Sequence, residues 1–173
     1  VHIEPREQGA GNSYSCTVRD NNIPEEIYEA VENGFRSSLD SGINYGYPCT
    51  DTAVTVTGIT YSEETATTFA FEACAAQAFD KVCNMASPQL LEPVMNVDIT
   101  CPNEFVGEAM SQMTQRGGMI MGQDSKASGD IIHAQAPMAK MFGFSTNLRS
   151  ATQGRASFSM EFSHFQVKAG GLG

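Results

Sequence analysis

Apolar residues recur along this chain in two rhythms, every second residue and every third to fourth, and the switches between them mark out its elements. Val1 to Pro5 and Tyr14 to Val18 alternate as short strands around the turn-forming run Gly9-Ala10-Gly11-Asn12. Pro24 opens a helix at a position where its missing N–H does no harm, and Glu25 and Glu26 sit at the positive end. Ile27, Val31, Phe35 and Leu39 recur every fourth residue as one buried stripe, and Gly42 ends the helix. Ala53 to Ile59 sets Val54 and Val56 against Thr55 and Thr57, a strand covered on one face. After a polar loop, Thr60 to Ala66, Thr67 or Thr68 can cap a second helix with the stripe Phe71, Ala75, Ala78 and Val82. The pattern then breaks at Ala86 to Pro88, which reads as a linker.

Beyond the linker the rhythm is cleaner. Met95, Val97 and Ile99 alternate with Asn96, Asp98 and Thr100 as a strand. Asn103 is placed to cap a helix with Val106, Met110 and Met113 inward, and Gly117-Gly118 stops it. Met119 to Gln123 and Ile131 to Ala136 form a hairpin around Lys126 to Gly129. A helix from about Ala139 to Ser150 and a strand from Ala156 to Phe165 complete the order β-α-β-β-α-β, the ferredoxin-like split unit. For the first half, periodicity reaches only an α/β sandwich. The chain as a whole reads as α+β.

At 173 residues with 41% hydrophobic and 17% charged positions, the composition is that of an ordinary globular protein of one or two domains. Net charge is −10, and most of it lies early: 13 acidic residues face 4 basic ones up to Leu91, then 7 face 6. Such a balance argues against nonspecific nucleic-acid binding through counterion release. No apolar run approaches a membrane span and no basic-then-apolar leader opens the chain, so a cytoplasmic protein with no membrane partner is expected.

Catalytic and metal chemistry find little support. Cys16, Cys49, Cys74, Cys83 and Cys101 are odd in number and contain no C-x-x-C pair, which points to reduced, mostly buried thiols rather than zinc or disulfides. His133 alternates outward on its strand and His164 closes the last one; neither has a carboxylate or thiol at ligand spacing in sequence, so packing or capping is expected. Eight of nine methionines follow Glu92 and read as flexible core filler. Glu25-Glu26 and Glu63-Glu64 are adjacent pairs, and no Gly-x-Ser-x-Gly elbow occurs.

One stretch is far more specific than any periodicity. From Pro137 to Phe165 the chain reads PMAKMFGFSTNLRSATQGRASFSMEFSHF. Spaced apolar residues there (Met141, Phe142, Leu148, Phe158, Met160, Phe162) suit any buried helix–strand unit. The polar run Thr146-Asn147-Leu148-Arg149-Ser150 followed by Thr152-Gln153-Gly154-Arg155 does not. With Ile23-Pro24, Gly46-Tyr47-Pro48 and Leu90-Leu91-Glu92-Pro93 upstream, the chain from Val1 to about Val167 resembles the C-terminal part of bacterial elongation factor G.

The resemblance implies a fourth domain over residues 1–88, entered part-way through and built like the second domain of ribosomal protein S5. It implies a ferredoxin-like fifth domain over 89–168; residues 169–173 read as a flexible tail. The family's GTPase domain carries a phosphate loop ending in Gly-Lys-Ser/Thr, and no such string occurs here. GTP and Mg would therefore belong to an N-terminal domain of the parent factor, and this fragment is expected to hold no cofactor and catalyse nothing. The parent is expected to be a monomeric cytoplasmic GTPase that drives tRNA–mRNA translocation, with ribosomal RNA, ribosomal proteins and the tRNA–mRNA near the decoding site as partners.

The first group of site residues follows from the same resemblance, the second from the chemistry of a helix end. Tyr61, Ser62, Glu63 and Glu64 lie in the family's distal tip loop. Tyr61 stands where the family has an aromatic, but Ser62 replaces the histidine of most translocases, and Asp20-Asn21 replaces the usual paired glycines. Arg149, Ser150, Gln153 and Arg155, at a helix end and the turn after it, are expected to touch folded RNA, a role compatible with capping that helix. In so acidic a chain, recognition has to come from shape and a few placed contacts. Two alternatives stand beside this reading: a ribosome-recycling or ribosome-protection paralogue, and a ferredoxin-like small-molecule regulatory module, against which the run from Thr146 to Arg155 speaks.

Overall fold

A computed structural model describes residues 1–43, 45–126 and 129–169. The chain divides into two compact units, Val1–Pro88 and Gln89–Gly173.

In the first unit, β1 (His2–Pro5), β2 (Ser13–Cys16) and β3 (Thr52–Val56) form a sheet in the order β1-β3-β2. β3 runs antiparallel to β1 and parallel to β2. The strands are shorter than alternation predicts: β1 pairs only as far as Thr55 and β2 as far as Val56, so among the described residues Thr57 to Ile59 pair with no strand. Two helices, α1 (Glu25–Ser41) and α2 (Thr68–Met85), complete an α/β sandwich. α1 starts after Pro24 and stops at Gly42 (φ 71°), where a side chain would run into the Tyr47 carbonyl. Its stripe Val31-Phe35-Leu39 joins Val54, Val56, Ala75, Phe79 and Cys83 in the core.

A second buried row on α1, Ala30-Gly34-Ser38, allows close approach of α2: a Cβ on Gly34 would lie 2.6 Å from the Glu72 carbonyl oxygen. α2 is capped by the Thr67 hydroxyl, which accepts from the Ala70 N–H. Its buried row is Ala75-Phe79-Cys83; Phe71 and Ala78 of the expected Phe71-Ala75-Ala78-Val82 stripe pack against the same core at partial burial. At the other end of the sheet, Asp51 folds the Gly9–Asn12 loop around itself. Its carboxylate accepts from the Gly9 and Gly11 N–H groups at 3.0 and 2.7 Å, and these bonds hold its pKa below the usual carboxylate range.

The second unit follows the order β4 (Leu91–Cys101), α3 (Val106–Gln115), β5 (Met119–Lys126), β6 (Gly129–Pro137), α4 (Phe144–Ala151), β7 (Ser157–Val167). Its sheet order, β5-β6-β4-β7 with every neighbour antiparallel, is the ferredoxin-like arrangement. Val97, Ile99, Cys101, Ile132, Ala134 and Ala136 pack against Ala109 and Met113 of α3 and Phe144 and Leu148 of α4.

Several local expectations fail here for identifiable reasons. Asn103 makes no side-chain cap, because a 3₁₀ turn over Asn103–Phe105 precedes α3. The helix expected from Ala139 begins at Phe144 instead. A 3₁₀ turn at Met138–Lys140 comes first, and Gly143 then takes φ 73°, which a continuing right-handed helix cannot contain. The hairpin strands run on to a Lys126–Gly129 pair; the turn residues Ala127 and Ser128 lie outside the described residues, as do residues 170–173 of the expected tail. Phe142 is exposed in the turn before α4. Met160 and Phe162 are exposed on the edge strand β7, though they lie opposite Val97 and Met95. Met85, Met119, Met121 and Met138 are exposed too, so core filling accounts for Met113 and Met141 and, at partial burial, Met95 and Met110. Among the described residues no helix is long and apolar enough to cross a membrane.

Candidate functional site

The two groups of residues singled out by sequence lie in different units, and each is built locally. In the first unit the loop between β3 and α2 turns at Ser62, whose carbonyl accepts from the N–H groups of Thr65 and Ala66 at 3.2 and 2.9 Å. This turn leaves Ser62, Glu63 and Glu64 exposed. Tyr61 is half-buried, its ring 6.4 Å from that of Phe71 at the start of α2, so it braces the loop as well as bordering it. The tip therefore presents the Ser62 and Thr65 hydroxyls and two carboxylates.

Asp20 and Asn21 occupy the approach to α1. The Asp20 carboxylate accepts from the backbone and side-chain nitrogens of Asn22, both at 2.9 Å, and the Tyr28 hydroxyl meets the Asp20 backbone. Neither residue takes a positive φ, so this backbone makes no demand for glycine.

In the second unit Arg149, Ser150, Gln153 and Arg155 surround the end of α4. The turn is organised by Thr152, a member of the polar run whose sequence gives it no site role of its own. Thr152 is fully buried; its hydroxyl donates to the Leu148 carbonyl at 2.6 Å and accepts from the Ala156 N–H at 3.2 Å. Gln153 (φ 53°) and Gly154 (φ 76°) then reverse the chain, and the Gly154 N–H donates to the Arg149 carbonyl. Arg149, Ser150 and Gln153 all stand exposed on this locked turn.

Arg155 is committed elsewhere. Its guanidinium pairs with the Glu104 carboxylate and lies 5.5 Å above the centre of the Phe105 ring. This tie joins the start of β7 to the turn before α3. A linear reading had no signal for it, since Glu104 precedes Arg155 by 51 residues. Of the two arginines, Arg149 is the one whose side chain faces outward without an ion pair among the described residues.

The remaining titratable groups give little catalytic chemistry. All five cysteines are free; Cys83 and Cys101 are buried, but Cys74 is exposed, contrary to the mostly buried set expected. Burial pushes the Cys83 thiol up to about 11, which leaves it inert as a nucleophile. His133 does have carboxylate partners after all: Asp98 and Asp124 reach it from the neighbouring strands. Among the described residues no three His, Cys, Asp or Glu side chains are grouped to hold a metal ion.

The folds define the class first: an α/β sandwich followed by a ferredoxin-like unit in an α+β chain. Family comparison narrows it. Residues 1–87 match the model for elongation factor G, domain IV, and residues 89–172 that for the elongation factor G C-terminus. The chain belongs to the elongation factor G family. It is 57% identical to elongation factor G 1 of Treponema denticola and 47% identical to elongation factor G 2 of Treponema pallidum, in each case over 96% of this chain and 26% of the relative. It therefore spans about a quarter of the length of these curated relatives. A crystal structure from Thermus thermophilus superposes with a TM-score of 0.86 at 28% identity, over 97% of this chain and 25% of that one.

Proposed function

We propose that this chain is the ribosome-contacting C-terminal part of a translational GTPase that promotes GTP-dependent movement of tRNA and mRNA during protein synthesis. The observation that carries the proposal is the family match, which runs through both units without a break in either. GTP and its Mg ion would be held in a part of the parent factor outside this chain. The two units, read as a domain IV-like part over 1–88 and a domain V-like part over 89–168, would act as shaped bodies. By occupying sites on the ribosome they would shift the populations of its states. In this reading the parent works as a cytoplasmic monomer.

Within the second unit the turn after α4 supports a contact with folded RNA. Arg149 offers a planar, multi-donor cation for phosphate or base edges, and Ser150 and Gln153 offer neutral polar groups beside it. The buried Thr152 fixes the backbone of the turn that carries these three, so the ordering cost on contact is confined to their side chains. Arg155 serves the frame of this turn.

A second reading has its own observation. The tip carries Ser62, Glu63 and Glu64 exposed, where a histidine would supply a stacking ring, and it meets RNA phosphate less favourably than an uncharged tip. A paralogue specialised in ribosome recycling or ribosome protection would tolerate such a tip.

The test is ribosome-stimulated GTP turnover by the parent factor with Arg149→Ala. Turnover at limiting ribosome concentration should fall several-fold while the melting temperature stays within a degree or so of the parent. Unchanged turnover would remove the α4 turn from the contact surface.

A further inference from the structure

The polar face of the second sheet carries a charge arrangement spanning three strands. Register sets His133 of β6 opposite Asp98 of β4; on the other side Asp124 of β5 pairs with Ile131, two residues along from His133 and on the same face. His133 Nδ1 is 2.7 Å from Asp98 Oδ1, and Nε2 is 3.3 Å from Asp124 Oδ2. An ionised carboxylate only accepts hydrogen bonds, and a neutral imidazole has a single N–H. Both bonds therefore exist together only when the ring is an imidazolium. The carboxylates sit on opposite ring nitrogens, so the three groups do not converge on one metal ion.

We propose that His133 is a proton-operated clasp: protonated, it ties the edge strand β5 through β6 to β4, and on losing its proton it keeps only one of the two ties. The role concerns the stability of this unit's sheet edge and does not depend on the ribosomal reading. β5 is an edge strand whose pairing with β6 shifts register between Ile120 and Gly122, so a side-chain tie near that irregularity acts where the ladder is weakest.

The charged groups on this face set the direction. Asp98 on β4, Asp124 on β5 and Glu161 on β7, which lies opposite Asn96, all favour the imidazolium; Lys126 on β5 opposes it. On β6 itself the same-face neighbours Ile131 and Gln135 carry no charge, and Asp130 is buried on the other face. α3 and α4 also pack on the other face, against Val97 and Ile99. The pKa of His133 is accordingly held above its ordinary value, first by the hydrogen bond to Asp98 and then by that to Asp124. Because the folded value is the higher one, the clasp is fully made below the unfolded histidine value of about 6.5. It is lost as pH rises through the folded value.

The experiment uses the full 173-residue chain. Imidazole NMR signals are followed from acid to alkaline pH, with those of His2 and His164 in the same sample, together with amide hydrogen exchange along β5 corrected for intrinsic rate. His133 should titrate above 6.5, and Asp98→Asn should lower its midpoint more than Asp124→Asn. Protection of the Gly122 to Asp124 amides should fall several-fold across that titration, and the fall should vanish in His133→Gln. A His133 midpoint at or below 6.5, or β5 protection that stays flat through it, overturns the proposal. Both readouts come from the unmodified chain, so a variant that fails to fold leaves the test intact.

Discussion

Thr152 and Arg155 act on the same turn by different means, and single substitutions separate them from Arg149. Thr152→Val keeps the shape but removes the hydroxyl that bonds Leu148 and Ala156, leaving a buried N–H without its partner. It should destabilise the second unit by about 1–3 kcal/mol. Arg155→Ala loses an exposed ion pair and a ring contact, about 1 kcal/mol together. Arg149→Ala should cost no more than about 0.3 kcal/mol in the same denaturant series, the small effect of an exposed cation in the last turn of a helix. Equal losses from all three would mean that Arg149 is as structural as its neighbours. The sequence singled out the polar run correctly as unlike a core. It had no means of dividing the run into exposed and committed members, because Glu104 and Phe105 reach Arg155 only through the fold.

Among elements, those defined by strong periodicity were legible and those shaped by single dihedrals were not. The Ile27-Val31-Phe35-Leu39 stripe and the alternation at Met95-Val97-Ile99 were readable because apolar burial repeats with the helix or strand period. The delayed start of α4 was not, because the left-handed Gly143 is a local choice within a pattern that looks helical on both sides. The contact of α1 with α2 was hidden for a similar reason: Gly34 reads as an ordinary weak helix position until Glu72 and Ala75 are set against it. Gly34→Ala should improve intrinsic helix propensity yet destabilise the first unit by about 1–2 kcal/mol net, since the new methyl meets backbone that cannot swing aside. A gain in melting temperature would show that the two helices have room to part. The pairing of His133 with Asp98 and Asp124 is the strand counterpart, invisible until register places three distant residues side by side.

For the whole molecule, the family assignment rests on two matched models and the functional account extends it to the ribosome. The acidic balance of the first unit and the exposed Glu63-Glu64 tip remain the features least suited to RNA, so the account relies on shape and on the α4 turn more than on net charge. The most direct measurement is an exchange of parts. The matching quarter of Treponema denticola elongation factor G 1, 57% identical to this chain, is replaced by residues 1–169 of this sequence. The exchanged factor is then assayed for ribosome-stimulated GTP turnover and for peptide elongation with purified components. The account predicts that both activities persist within about an order of magnitude of the donor and fall together when Arg149→Ala is added. A folded, GTP-binding exchanged factor that does not respond to ribosomes would contradict it.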